Sequence, residues 1–134
     1  MDYKSALSGL QINNKTNKMK KYSKFIDILT YYKNLPHGMI YSVEKKENDL
    51  KNAIFYVLDT IEEKTTEFVE GDLGDVPSEI YNDQNIVCEL IETQMFKSII
   101  ENKFKINPNL DIVKNVKVFL NALEFYLEYD AFQN

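Results

Sequence analysis

At 134 residues, 44% hydrophobic and 13% aromatic, the chain is long enough to bury one core without disulfide or metal staples and too apolar to stay disordered. Its 16 cations are all lysines against 21 carboxylates, and without arginine it lacks the forked donor that reads guanine edges, which disfavours nucleic-acid binding. Its single cysteine, Cys88, excludes an internal disulfide. The N-terminus carries no signal-like apolar run, and no window approaches the roughly 18–20 apolar residues of a membrane span, so a cytoplasmic, membrane-free protein is expected.

Four glycines and three prolines are few for this length, which argues against a sandwich or barrel with a tight turn every ten residues and leans towards helix. Residues 1 to 17 hold a short apolar set, Tyr3, Leu7, Leu10 and Ile12, followed by polar residues, and read as a short helix and a loop. From Lys18 to Asn34 the residues Tyr22, Phe25, Ile28, Leu29 and Tyr32 recur at spacings of three and four, predicting a helix that Pro36 and Gly38 end. Lys15, Lys18, Lys20, Lys21 and Lys24 form a basic cluster that reads as a solvated helix face, with contact to phosphate or membrane as the alternative. Leu50, Ala53, Ile54, Val57, Leu58 and Ile61 predict a second amphipathic helix, with charged residues opposite. Gly71, Gly74 and Pro77 break that pattern, leaving a long acidic loop from Glu70 to Asp83. Asn85 reads as the cap of a third long helix that runs to about Lys103 and buries Ile86, Leu90, Ile91, Met95, Ile99 and Ile100. Asn107 and Pro108 read as the cap and first position of a last helix carrying Leu110, Val113, Val116, Leu120, Leu123 and Leu127, with further aromatic residues at its end. The expected fold is therefore a compact single-domain all-α bundle of four to five helices spanning residues 1–134, with the acidic loop between its second and third long helices.

Charge is unevenly placed along this frame. Residues 1–37 hold seven lysines and two acids, whereas 38–134 hold nine lysines and nineteen acids. Between Thr65 and Phe96 stand eight carboxylates, Glu67, Glu70, Asp72, Asp75, Glu79, Asp83, Glu89 and Glu92, and no lysine. Such a stretch repels itself and is best tolerated where water or a basic partner screens it, so it marks a solvated face or a docking surface.

Nothing else in the chain resembles catalytic chemistry. His37 is the only histidine, which excludes multi-histidine metal sites and leaves it as a turn residue. Asp72, Asp75 and Glu79 lack the alternate-position ligands of a calcium loop, and Glu89 and Glu92 lack the histidines of a di-iron bundle. No phosphate-binding glycine loop, nucleophile elbow or activated cysteine is present, so neither enzyme activity nor a cofactor or metal is expected. Cys88, among Ile86, Val87, Leu90 and Ile91, reads as a small apolar filler. Nine tyrosines beside an acidic surface suit a protein interface.

Two segments carry a resemblance. Cys88 to Asn102, with Leu90, Ile91 and Glu92, then Phe96, then Ile100, Glu101 and Asn102, is similar to a recurring block of bacterial immunity proteins. Leu120 to Phe132, with Asn121, Tyr126, Glu128, Asp130 and Phe132, resembles the closing helix of that family. The resemblance implies an immunity protein of contact-dependent growth inhibition or a similar polymorphic-toxin system, binding one cognate toxin domain one-to-one without turnover. Many such toxins are cationic nucleases, for which Glu67, Glu70, Asp72, Asp75, Glu79, Asp83, Glu89 and Glu92 would supply complementary charge and Tyr81 an aromatic anchor. The rival classes are an acidic DNA mimic that blocks a host nuclease and a helical adaptor subunit.

Overall fold

In the computed structural model, which describes residues 19–71 and 73–134, alternation rather than a helical period organises the middle of the chain. Strands β1 (Met19–Tyr22), β2 (Gly38–Glu44), β3 (Ile54–Asp59) and β6 (Ile86–Glu92) form an antiparallel sheet in the order β1-β3-β2-β6. Strands β4 (Phe68–Gly71) and β5 (Gly74–Pro77) form a separate antiparallel hairpin beside β6, bridged to it between Leu73 and Cys88. Helices α1 (Phe25–Thr30), α2 (Thr60–Glu63), α3 (Thr93–Ile106) and α4 (Val116–Tyr129) complete the described elements, with single 3-10 turns at Tyr32–Asn34 and Leu50–Asn52. The fold is mixed α and β, and the expected all-α bundle is incorrect.

The central error has a clear cause. β3 lies between β1 and β2 and is covered on both faces, so it reads as an unbroken apolar run, Ile54 to Leu58, from which a helical stripe can be selected. Phe55 and Val57 enter the core under the helices, whereas Leu58, with Ile54 and Tyr56 beside it, enters a second core on the opposite face. The predicted helix from Asn85 fails over its first half for a related reason. The register of β2 with β6 shifts between Ile40 and Tyr41, so that Tyr41 faces Glu89, Ile40 faces Ile91, and Leu90 is the extra residue of a bulge. The bulge turns Leu90 and Ile91 together towards the helix-side core and disguises a strand as a helical pair. Helix α3 starts only at Thr93, whose buried hydroxyl oxygen accepts the Gly38 N–H at 3.0 Å.

The predicted helix over Lys18–Asn34 is divided into β1, α1 and a 3-10 turn. The last helix begins at Val116 rather than Pro108. Between them the Asn107, Asp111 and Asn115 side chains accept the backbone N–H groups of Asn109, Lys114 and Asp111 at 3.2, 3.0 and 2.9 Å, a local alternative to helical bonding. The short helix expected in residues 1–17 lies outside the described residues.

Two cores share the sheet. On one face Phe25, Ile28 and Leu29 of α1, Phe96, Ile99 and Ile100 of α3, and Phe119 and Leu123 of α4 pack on Ile40, Phe55, Val57 and Ile91. On the other, Val76 and Ile80 from the hairpin region pack on Met19, Tyr41, Val43, Leu58 and Val87. Among the described residues no helix is long and apolar enough to cross a membrane.

Candidate functional site

The segment expected as a loop from Glu70 to Asp83 folds as a hairpin through Pro77 and continues in turns from Ser78. Val69 and Val76 pair across β4 and β5 and face the second core, with Val76 fully buried, which anchors the hairpin and turns the alternate positions outward. Those positions are Glu70 and Asp75, directly opposite each other and both exposed. Like charges in cross-strand register are destabilising, so the pair costs the hairpin stability for no gain inside the chain. The reversal is closed by Gly71 and Gly74, and Gly74 adopts φ +108°, a conformation available to glycine at little cost.

Glu67 stands exposed just before β4, where its carbonyl oxygen accepts the Ser78 N–H at 2.8 Å. Glu79 and Asp83 are exposed in the segment after β5. Tyr81 is 41% exposed, and its ring lies over Gly71, where an added Cβ would come within 3.8 Å of Cε1. Glu89 projects from β6 next to the hairpin, in register with Tyr41. Asp72 lies outside the described residues.

The fold thus gathers Glu67, Glu70, Asp75, Tyr81 and Glu89 on and beside the hairpin. Glu92 separates from them. It closes β6 at the start of α3 and lies within electrostatic reach of the Tyr126 hydroxyl on α4. Among the described residues, none of the carboxylates of the window is ion-paired. Nor do three or more such groups converge in a way that could hold a metal ion, among the described residues.

Two features escaped the sequence. Tyr41, buried at 2% exposure, has its phenol pushed up to about 12, first by burial and then by the Glu89 and Glu63 carboxylates, so Glu63 of α2 joins the electrostatic neighbourhood of Glu89. Glu44, at the end of β2, is buried at 7% exposure and borders a hollow against α4. The alternation of Ile40, Ser42 and Glu44 could have marked an inward glutamate had β2 been recognised as a strand.

His37 makes its contact with Gln94, at 2.7 and 3.0 Å from its two ring nitrogens to Nε2, and is exposed. Cys88 is half-buried, its sulfur 3.1 Å from the Ser42 hydroxyl, and its thiol is pushed up chiefly by burial, with Ser42 lowering it and Glu44 raising it. At the far end of α4, Tyr129 and Phe132 remain exposed, so the aromatic surface of that helix is not fully covered by its neighbours.

Comparison of the chain with protein-family models, with curated proteins and with solved structures finds no match in any of the three.

Proposed function

We propose that this protein binds a basic protein partner stoichiometrically and neutralises it, as an immunity protein neutralises a cognate cationic toxin domain. The observation that carries this reading is the hairpin that displays Glu67, Glu70 and Asp75 without a counter-ion among the described residues, beside Glu89 and the half-exposed Tyr81. Carboxylates held in mutual repulsion on a hairpin steer a cationic partner and gain most when its charges replace water. The segments from Cys88 to Asn102 and from Leu120 to Phe132, which resemble immunity proteins, lie across β6 and α3 and along α4. They support the same class.

The test is capture of partners by the tagged protein from lysate of its source cells at low and high salt. A basic toxin domain retained one-to-one, and lost progressively with salt, is the expected result. Converting Glu67, Glu70, Asp75, Glu79 and Asp83 to amides should slow association about tenfold or more at low salt, and Tyr81→Ala should mainly speed dissociation. Recovery of a host DNA-binding protein would favour a DNA mimic instead. Unchanged binding by the amide variant would remove the hairpin as the site.

A further inference from the structure

The hollow that Glu44 borders lies between the end of β2, the 3-10 turn at Leu50–Asn52, β6 and α4, apart from the hairpin. It encloses about 480 Å³ and is open to solvent. Leu50, Leu90 and Leu127 give it apolar walls, and Glu44, Glu124 and Glu128 give it three carboxylates, with no lysine among the lining residues. The Glu44 side chain is more than nine-tenths buried. One of its oxygens accepts the Asp49 N–H at 3.0 Å, whereas the other has no donor among the described residues. The second oxygen meets only the solvent of the hollow, so a charged donor arriving from outside would add a charge-assisted hydrogen bond there. Glu124 and Glu128 stand four residues apart on one face of α4, where like charges repel, and Glu128 also accepts from the Tyr129 hydroxyl.

We propose that this hollow receives one arginine or lysine side chain of the basic protein partner, its aliphatic stem along Leu50, Leu90 and Leu127 and its charged head on Glu44, Glu124 and Glu128. The division of walls matches such a side chain: leucines cover the methylenes, and three carboxylates with no ion pair among the described residues meet the cation. An apolar or ionised acidic side chain would leave the free Glu44 oxygen without a donor, and a neutral polar one would supply a donor but no charge. The proposal rests on the reading of a basic partner, yet the hollow can be tested without that partner.

The probe is a capped amino acid, N-acetyl-arginine methylamide or N-acetyl-lysine methylamide, titrated into the 15N-labelled full chain and followed by amide shifts. N-acetyl-norleucine methylamide serves as the uncharged control. The expected result is saturable movement of the Glu44, Asp49, Leu90 and Glu124–Glu128 amides with the cationic probes and not with norleucine. Glu124→Gln with Glu128→Gln, at exposed helix positions, should weaken this binding roughly three- to tenfold. Glu44→Gln retains an acceptor for Asp49 and should weaken it further, whereas Glu70→Gln with Asp75→Asn should leave it unchanged. The proposal is overturned if the folded protein shows no shifts at these amides, if norleucine moves them equally, or if the α4 double variant titrates like the parent. A captured basic partner with a failed titration would sink the hollow and keep the function. A positive titration without any basic partner would do the reverse.

Discussion

Tyr41 sits at 2% exposure on β2, with Glu89 across from it in register. Because its folded pKa is raised from 10.0 to about 12, the folded state favours the protonated phenol. That contribution is fully present below pH 10 and is lost as pH rises from 10 through 12, when the unfolded chain can ionise and the folded one resists. It amounts to about 1–3 kcal/mol. Tyr41→Phe should therefore lose less stability than the parent over that interval, measured by chemical denaturation. Every other group is common to both proteins, so the difference isolates Tyr41. Parallel curves would show that the phenol is not held against ionisation. Cys88 illustrates a quieter case: the expected apolar filler is instead a half-buried thiol against Ser42, raised by burial and therefore protonated and slow to react near neutral pH.

At the scale of the element, the β4–β5 hairpin carries a conflict between its own stability and the binding proposed for it. Glu70 and Asp75 face each other across the ladder, so Glu70→Gln or Asp75→Asn should stabilise the hairpin by about 0.2–1 kcal/mol at low salt while slowing capture of a basic partner. Hydrogen exchange at Val69 and Val76 measures the first effect and association rate the second. Loss of hairpin stability in these variants would mean that the pair is held by something other than repulsion. The acidic content of this element was legible in the sequence, as was the break in the helical pattern at Gly71, Gly74 and Pro77. Its strands were not, because four-residue strands holding one inward valine each give too short an alternation to register against the helical background.

For the whole molecule, the shared sheet couples the two cores. β2 offers Ile40 to the helices and Tyr41 and Val43 to the hairpin side, so neither layer can leave without exposing the back of the other. A single unfolding transition follows, in which Phe96→Ala should cost about 3–5 kcal/mol and Val76→Ala about 2 kcal/mol of the same global stability. Denaturant midpoints read by far-ultraviolet circular dichroism and by tyrosine fluorescence should shift together. A Val76→Ala variant that changes only hairpin exchange, with the global midpoint unmoved, would show the second core to be a detachable unit.

Composition and local pattern by themselves determined a chain able to form a core, an acidic segment from Glu67 to Glu92 free of lysine, and helices where one apolar stripe faces one neighbour, as over the buried positions Phe96, Ile99 and Ile100 and over Phe119 and Leu123. Only the tertiary structure decided that Ile54–Asp59 and Ile86–Glu92 are strands, since a strand covered on both faces loses its alternation and a bulge at Leu90 mimics a helical step. It also decided which carboxylates meet. Glu70 and Asp75 share a face because of register, Glu92 leaves the group because β6 ends beneath it, and Glu44, Glu124 and Glu128, 80 or more residues apart from one side to the other, come together because α4 packs back across the end of β2. Sequence records how many charges there are and in what order, but the distance between them is set by packing, and distance decides what they can bind.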